Sequence, residues 1–258
     1  MKIIFHFIII LLLTILTQIG GIIYLISLIL IRDRKLIQIL TFLGLYCFST
    51  FFLVPKIAPY FGREKIEESK NVKIHSILYK IANRNYVRPE LNSIIQKIGN
   101  SISENHRGLK LIILDANFPF LDKFPLLPHL SHNDGKKLDI SLMYKNKEGE
   151  LTNEKPSNSG YGIFEGPLQN EINQIEICKN NGAWQYDYPK YITFGSNTEL
   201  QFSNDATKDL VNSIIENREI QKVFIEPHLK NRLNLNSEKI RFHGCRAVRH
   251  DDHIHLQI

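Results

Sequence analysis

His250-Asp251-Asp252-His253-Ile254-His255-Leu256-Gln257-Ile258 is the stretch from which the fold is read. In an extended strand, successive side chains point to opposite faces. His253, His255 and Gln257 then share one face, and Ile254, Leu256 and Ile258 the other. The apolar set has the composition of a face turned to a core. That leaves two imidazoles side by side on a rigid mount, able to converge on one metal or one substrate. Alone, an HxH pair is a weak signal, because single histidines on strands are common on surfaces and in cores.

A second cluster strengthens it: His129-Leu130-Ser131-His132-Asn133-Asp134-Gly135-Lys136-Lys137-Leu138-Asp139. Five of the ten histidines fall in these two stretches, which is a concentration rather than a scatter. Gly135 suits a tight turn. From Lys137 to Tyr144 the pattern alternates, with Leu138, Ile140 and Leu142 on one side and Asp139, Ser141 and Met143 on the other. The spacing predicts a strand with one buried face. A turn leading into that strand brings His132 and Asp139 into one site. Two histidines and one carboxylate are the donor set of a catalytic zinc, with a fourth position left open, rather than of a closed structural one.

Further out, Pro89-Glu90 opens a helix with Leu91, Ile94, Ile95 and Ile98 on one face. Leu109 to Leu114 reads as a buried strand. Asn204 or Asp205 caps a helix to about Asn217, Val223 to Ile225 is a strand, and Pro227 opens a short helix. Lys239 to Phe242 and His253 to Ile258 are the last strands. Residues 145–197, rich in Asn, Gly, Pro and aromatics, form a loop-rich insertion whose aromatic rings need something to pack on. Helices among short strands, without a βαβ rhythm, predict an α+β fold with a small antiparallel sheet.

Upstream the composition changes. Ile3 to Ile31 and Leu36 to Val54 are apolar runs separated by Arg32-Asp33-Arg34-Lys35. Each is long enough for about 20 residues of membrane helix. The expectation is a transmembrane hairpin over residues 1–55, a linker over 56–75 and a soluble domain over 76–258. The basic loop then lies in the cytoplasm, with Lys2 and the C-terminal part outside. The formal charge of +6 comes with no Arg-rich helix and no aromatic RNA-binding signature, so nucleic acid is not the expected partner. Cys47 lies in an apolar run. Cys178 and Cys245 are either a disulfide outside the cytoplasm or two thiols.

The two histidine clusters together resemble the zinc peptidases that share the fold of lysostaphin, D-alanyl-D-alanine carboxypeptidases and the hedgehog signalling domain. They are most similar to the penicillin-insensitive murein endopeptidases. That family's H-x-S-H-x-x-G-x-x-x-D-I is matched by His129 through Ile140, and its H-D-D-H-x-H by His250 through His255. The likeness covers only these stretches. It implies zinc held by His132, Asp139 and His255, with His129, His250 and His253 in the catalytic surround. Where many D,D-carboxypeptidases of the group keep a glutamate base, this chain has Asp252, which favours a histidine base, His253 first. Asp251 and Asp252 are candidates to orient the histidines, and Arg246 or Arg249 to clamp a substrate carboxylate. Lys136-Lys137 departs from the family and bears on substrate preference. The expected function is hydrolysis of peptidoglycan peptides, as D,D-endopeptidase or carboxypeptidase, by an integral protein of the bacterial plasma membrane. The alternative is a non-catalytic zinc-binding module of the same fold.

Overall fold

The first apolar run folds as two helices rather than one. In the computed structural model, which describes residues 2–258, α1 (Lys2–Thr17) stops at Gln18, whose φ is +66°. Helix α2 (Gly20–Leu30) then starts with the Gly20 amide bonded to the Thr17 hydroxyl at 2.9 Å. The two helices lie antiparallel. His6 Nδ1 meets the Tyr24 hydroxyl at 2.9 Å, and a Cβ on Gly21 would stand 1.9 Å from Thr14 Oγ1. Only a residue without a side chain permits that approach. At 16 and 11 residues, α1 and α2 run about 24 and 16 Å, short of the roughly 30 Å of a hydrocarbon core. Met1 and the side chain of Lys2, the basic group expected ahead of the first run, lie outside the described residues.

The second run is continuous. Helix α3 (Lys35–Phe48) passes through a π turn (Ser49–Leu53), α4 (Val54–Ile57) and a 3-10 turn (Ala58–Phe61). These 27 residues form one helical stretch long and apolar enough to cross a membrane by length and composition. The two spanning helices expected from the sequence are thus one such helix and a packed pair of shorter ones.

The expected linker is largely built into structure. It contains β1 (Glu64–Lys65) and β2 (Val72–Ile74). Then come α5 (Ile77–Ile81), β3 (Tyr86–Val87), α6 (Pro89–Asn105), β4 (Leu111–Ile113) and β5 (Lys137–Ser141). The insertion contributes β6 (Tyr144–Lys145), β7 (Leu151–Thr152), α7 (Gln174–Asn180) and a 3-10 segment, Trp184–Tyr191. The remainder is β8 (Gln201–Phe202), α8 (Asn204–Ile215), β9 (Lys222–Phe224), α9 (Pro227–Arg232), β10 (Ile240–Arg241) and β11 (His253–Gln257).

The chain divides into two compact units, residues up to 66 with 77–92 and 116–137, and residues 67–76 with 93–115 and 138–258. In the first, Ile19, Ile23, Tyr46, Val54, Ala58 and Tyr86 form a buried cluster. The α1–α2 turn is tied down there. Asn83 donates to the Thr17 carbonyl at 3.3 Å, and the Phe120 amide to Gln18 Oε1 at 3.0 Å. Arg63 is buried, giving its guanidinium to the Phe118 carbonyl and Asp122. Gly135 turns with φ +80°, as expected, and a Cβ there would meet Arg63 Nε at 2.9 Å.

In the second unit the sheet is larger and more mixed than expected: six strands in the order β10-β9-β11-β5-β4-β2. The pairs β10/β9 and β2/β4 are parallel, and β11/β9 and β4/β5 antiparallel. A smaller sheet runs β7-β6-β8. Helix α6 comes close to β2, where a Cβ on Gly99 would be 2.9 Å from the Asn71 carbonyl oxygen. The cap of α8 is Ser203, which accepts from the Ala206 amide, one residue before the expected Asn204.

Candidate metal centre

Strand β11 carries the HxH pair as the alternation predicts. Ile254 and Leu256 are fully buried on one face, and His253 and His255 are buried on the other. Strand β5 lies next to β11 in the sheet. It is buried on both faces, not one: Leu138 and Ile140 on one side, Asp139 and Ser141 on the other. The polar residues of both strands therefore line an interior site. Asp139 Oδ1 lies 2.9 Å from His255 Nδ1.

His132 is buried, and its Nδ1 lies 2.8 Å from the Ala116 carbonyl oxygen. A carbonyl only accepts, so Nδ1 carries the proton and Nε2 keeps its lone pair. His132, Asp139 and His255 are buried His/Asp groups that could hold a metal ion. Two imidazole nitrogens and a carboxylate, all buried, are the right donor chemistry, so the residues present fit a metal ion. His129 packs 5.4 Å from His132 by ring centroids and is half-buried.

The other histidines sit around Asp139 and His255. His253 Nδ1 bonds Asp252 Oδ1 at 2.5 Å, and its Nε2 faces Asp139 Oδ2 at 3.8 Å. Asp252 is fixed in turn, its Oδ2 accepting from the Gly162 amide at 2.6 Å. The His250 ring is 4.8 Å from His253 and 5.9 Å from His255. Burial, with the charges His253 and His255 would carry, holds His250 well below the usual imidazole pKa. It is a neutral ring at neutral pH.

The two arginines expected to clamp substrate fare differently. Arg249 is buried and spent internally: its Nε donates to Asp251 at 2.6 Å, and its guanidinium lies 4.0 Å over the Phe164 ring. Burial works to lower its pKa, but the Asp251 carboxylate raises it on balance. A guanidinium so engaged has its donors turned into the fold. Arg246 is exposed. Asp251 braces Arg249 rather than a catalytic histidine, so of the two aspartates only Asp252 bonds His253.

Several residues escaped the sequence reading. Tyr161 donates to Asp139 Oδ2 at 2.8 Å and sets its ring edge-on to His253 at 4.9 Å. His243 stacks on His250 at 5.3 Å. Glu226 accepts at Oε1 from the Tyr186 hydroxyl at 2.7 Å and from the His250 amide at 2.9 Å. Burial raises its carboxyl above the usual range against both hydrogen bonds. Cys178 and Cys245 form a disulfide, so the loop carrying His243 is linked covalently to α7. The only advance sign of Tyr161 and Tyr186 was the aromatic richness of the insertion.

No family model matches the chain, and no curated protein matches it significantly.

Proposed function

We propose that the chain is a membrane-anchored zinc peptidase that cleaves peptidoglycan peptides at the outer face of a bacterial plasma membrane. One observation carries the reading: a buried His/Asp donor set stands beside a third histidine, His253, already oriented by a carboxylate. His132, Asp139 and His255 would hold the zinc. When bound, zinc supplies Lewis acidity, which polarises a carbonyl and makes water a nucleophile near neutral pH.

The rest is the work of this chain's own groups. Asp252 accepts the His253 Nδ1 proton, which fixes the tautomer and turns the basic Nε2 towards Asp139. His253 is then placed to take a proton at Nε2 and pass it to the leaving amine. His250, neutral and bounded by His243 and His253, lines the wall of the site. A metal that only held the fold together would need no such base, so the arrangement favours the enzyme over the non-catalytic module.

The anchoring reading draws on surface chemistry. Most of the exposed large apolar side chains lie ahead of residue 62, along α1, α2 and the 35–61 helix. A soluble protein rarely exposes apolar surface on that scale. Arg32, Arg34 and Lys35 precede or open the 35–61 helix, and by the basic-loop rule their end is the cytoplasmic one in this reading.

The test uses the full chain in detergent, with metal content and digestion of purified peptidoglycan measured on one preparation. His255→Ala should empty the site. His253→Ala should keep about one zinc per chain while hydrolysis falls by roughly two to four powers of ten. A wild type that holds zinc and cuts nothing would leave the non-catalytic module, and a wild type without metal would end both readings.

A further inference from the structure

The helices ahead of residue 62 frame a half-open cavity of about 660 Å³ with two chemically different ends. Ile9, Leu28 and Phe42 belong to its apolar wall, and Arg32, Lys35 and Gln38 to its polar end. Across it, His6 and Tyr24 are bonded to each other at 2.9 Å. Three features of the polar end are unsatisfied. Gln38 Nε2 is shielded from solvent with no hydrogen-bond partner among the described residues. Arg32 and Lys35 make no ion pair among the described residues. Helix α3 begins without a side-chain cap from Arg34, so its first amides stay open to an anion.

Two cations, an amide donor and an uncapped helix start describe a phosphate site. The apolar wall behind them excludes a ligand that is phosphate alone, since it would leave that surface bare. We propose that this cavity binds one anionic phospholipid, its phosphate between Arg32, Lys35 and Gln38 and an acyl chain along Ile9, Leu28 and Phe42. The proposal rests on the membrane reading above, which puts these residues at the cytoplasmic leaflet, where anionic lipid is available. A lipid so held would act as a wedge, fixing the α1–α2 pair against α3.

The experiment is native mass spectrometry of the full chain in neutral detergent, equilibrated with equal amounts of phosphatidylglycerol and phosphatidylcholine. One phosphatidylglycerol per chain should survive, preferred roughly thirtyfold, the weight of two cations beside an anionic headgroup. Arg32→Gln with Lys35→Gln should erase the preference, and Ile9→Trp, which fills the apolar wall, should expel the lipid. Thermal unfolding of each variant checks that it is folded. Excess inorganic phosphate should not displace the lipid. Equal retention of both lipids, an unchanged preference in the charge variant, or displacement by phosphate would each overturn the proposal. Flotation with phosphatidylcholine vesicles separates the two readings. A chain that floats without a lipid preference sinks only this one, and a chain that does not float sinks the membrane reading with it.

Discussion

Asp139 is held at both oxygens. Oδ1 faces His255 Nδ1 at 2.9 Å, and Oδ2 accepts from Tyr161 at 2.8 Å. The tyrosine therefore sets the rotation of the carboxylate, and with it the direction of the oxygen offered to a metal. Removing an outer hydrogen bond of this kind costs about 10–100-fold in metal affinity. Tyr161→Phe should show a loss in that range in competition with a chelating dye, while the ring stays packed on His253. An unchanged affinity would mean that the Asp139 carboxylate is fixed by its strand alone. His253, His255 and Asp139 were legible in the sequence because a two-residue period puts chemistry and core on opposite faces. What the same period hid was burial of the second face. The alternation predicted one buried face, yet Asp139 and Ser141 opposite Leu138 and Ile140 are both about 1% exposed. Tyr161 was not legible as a site residue. It arrives from irregular chain, where no periodicity links a side chain to a direction.

At the scale of elements, the insertion is structure rather than a surface appendage. Tyr186 at its 3-10 segment is fully buried on Glu226, and Gly162 holds Asp252. Its helix α7 is linked to the loop before His250 through Cys178–Cys245, across 67 residues of chain. A crosslink closing that length restricts the unfolded ensemble by about 4 kcal/mol in the chain-entropy account. The double variant Cys178→Ser, Cys245→Ser should lower the urea midpoint correspondingly, and dithiothreitol should do the same to the wild type alone. If reductant leaves the wild type unmoved, the pair is not bonded in solution. The sequence left this pairing open, since spacing alone cannot say which cysteines approach. Helix α6 was legible from Pro89 and its apolar face. The start of α8 was misplaced because Ser203, Asn204 and Asp205 are three capping residues in a row, and only the bond from the Ala206 amide chooses among them. The break at Gln18 had one sign, Gly20-Gly21, but composition cannot tell two glycines inside one helix from two glycines that let a second helix fold back.

That break changes the topology of the whole molecule. A single helix over the first run would place its start on the far side of the membrane from Arg32–Lys35, which is what the sequence alone predicts. With α1 and α2 antiparallel, the start of α1 returns to the same end as that basic loop, since His6 meets Tyr24 while Thr17 meets Gly20. In the membrane reading proposed above, only the 35–61 helix would then cross, with everything after Phe61 outside. Cysteine labelling decides this cleanly, because Cys178 and Cys245 are bonded and Cys47 is the one free thiol. In a Cys47→Ser background, single cysteines would be placed ahead of α1, at Arg34 and at Tyr60, which is 88% exposed. A membrane-impermeant maleimide applied to intact spheroplasts should label Tyr60→Cys and spare the other two, and all three should react after lysis. Labelling ahead of α1 but not at Arg34 would restore the two-span hairpin and show that α1 and α2 do not pack as described. Labelling of those two without Tyr60→Cys would put the histidine cluster in the cytoplasm, where no cell wall reaches it, and the peptidase reading would fall with it.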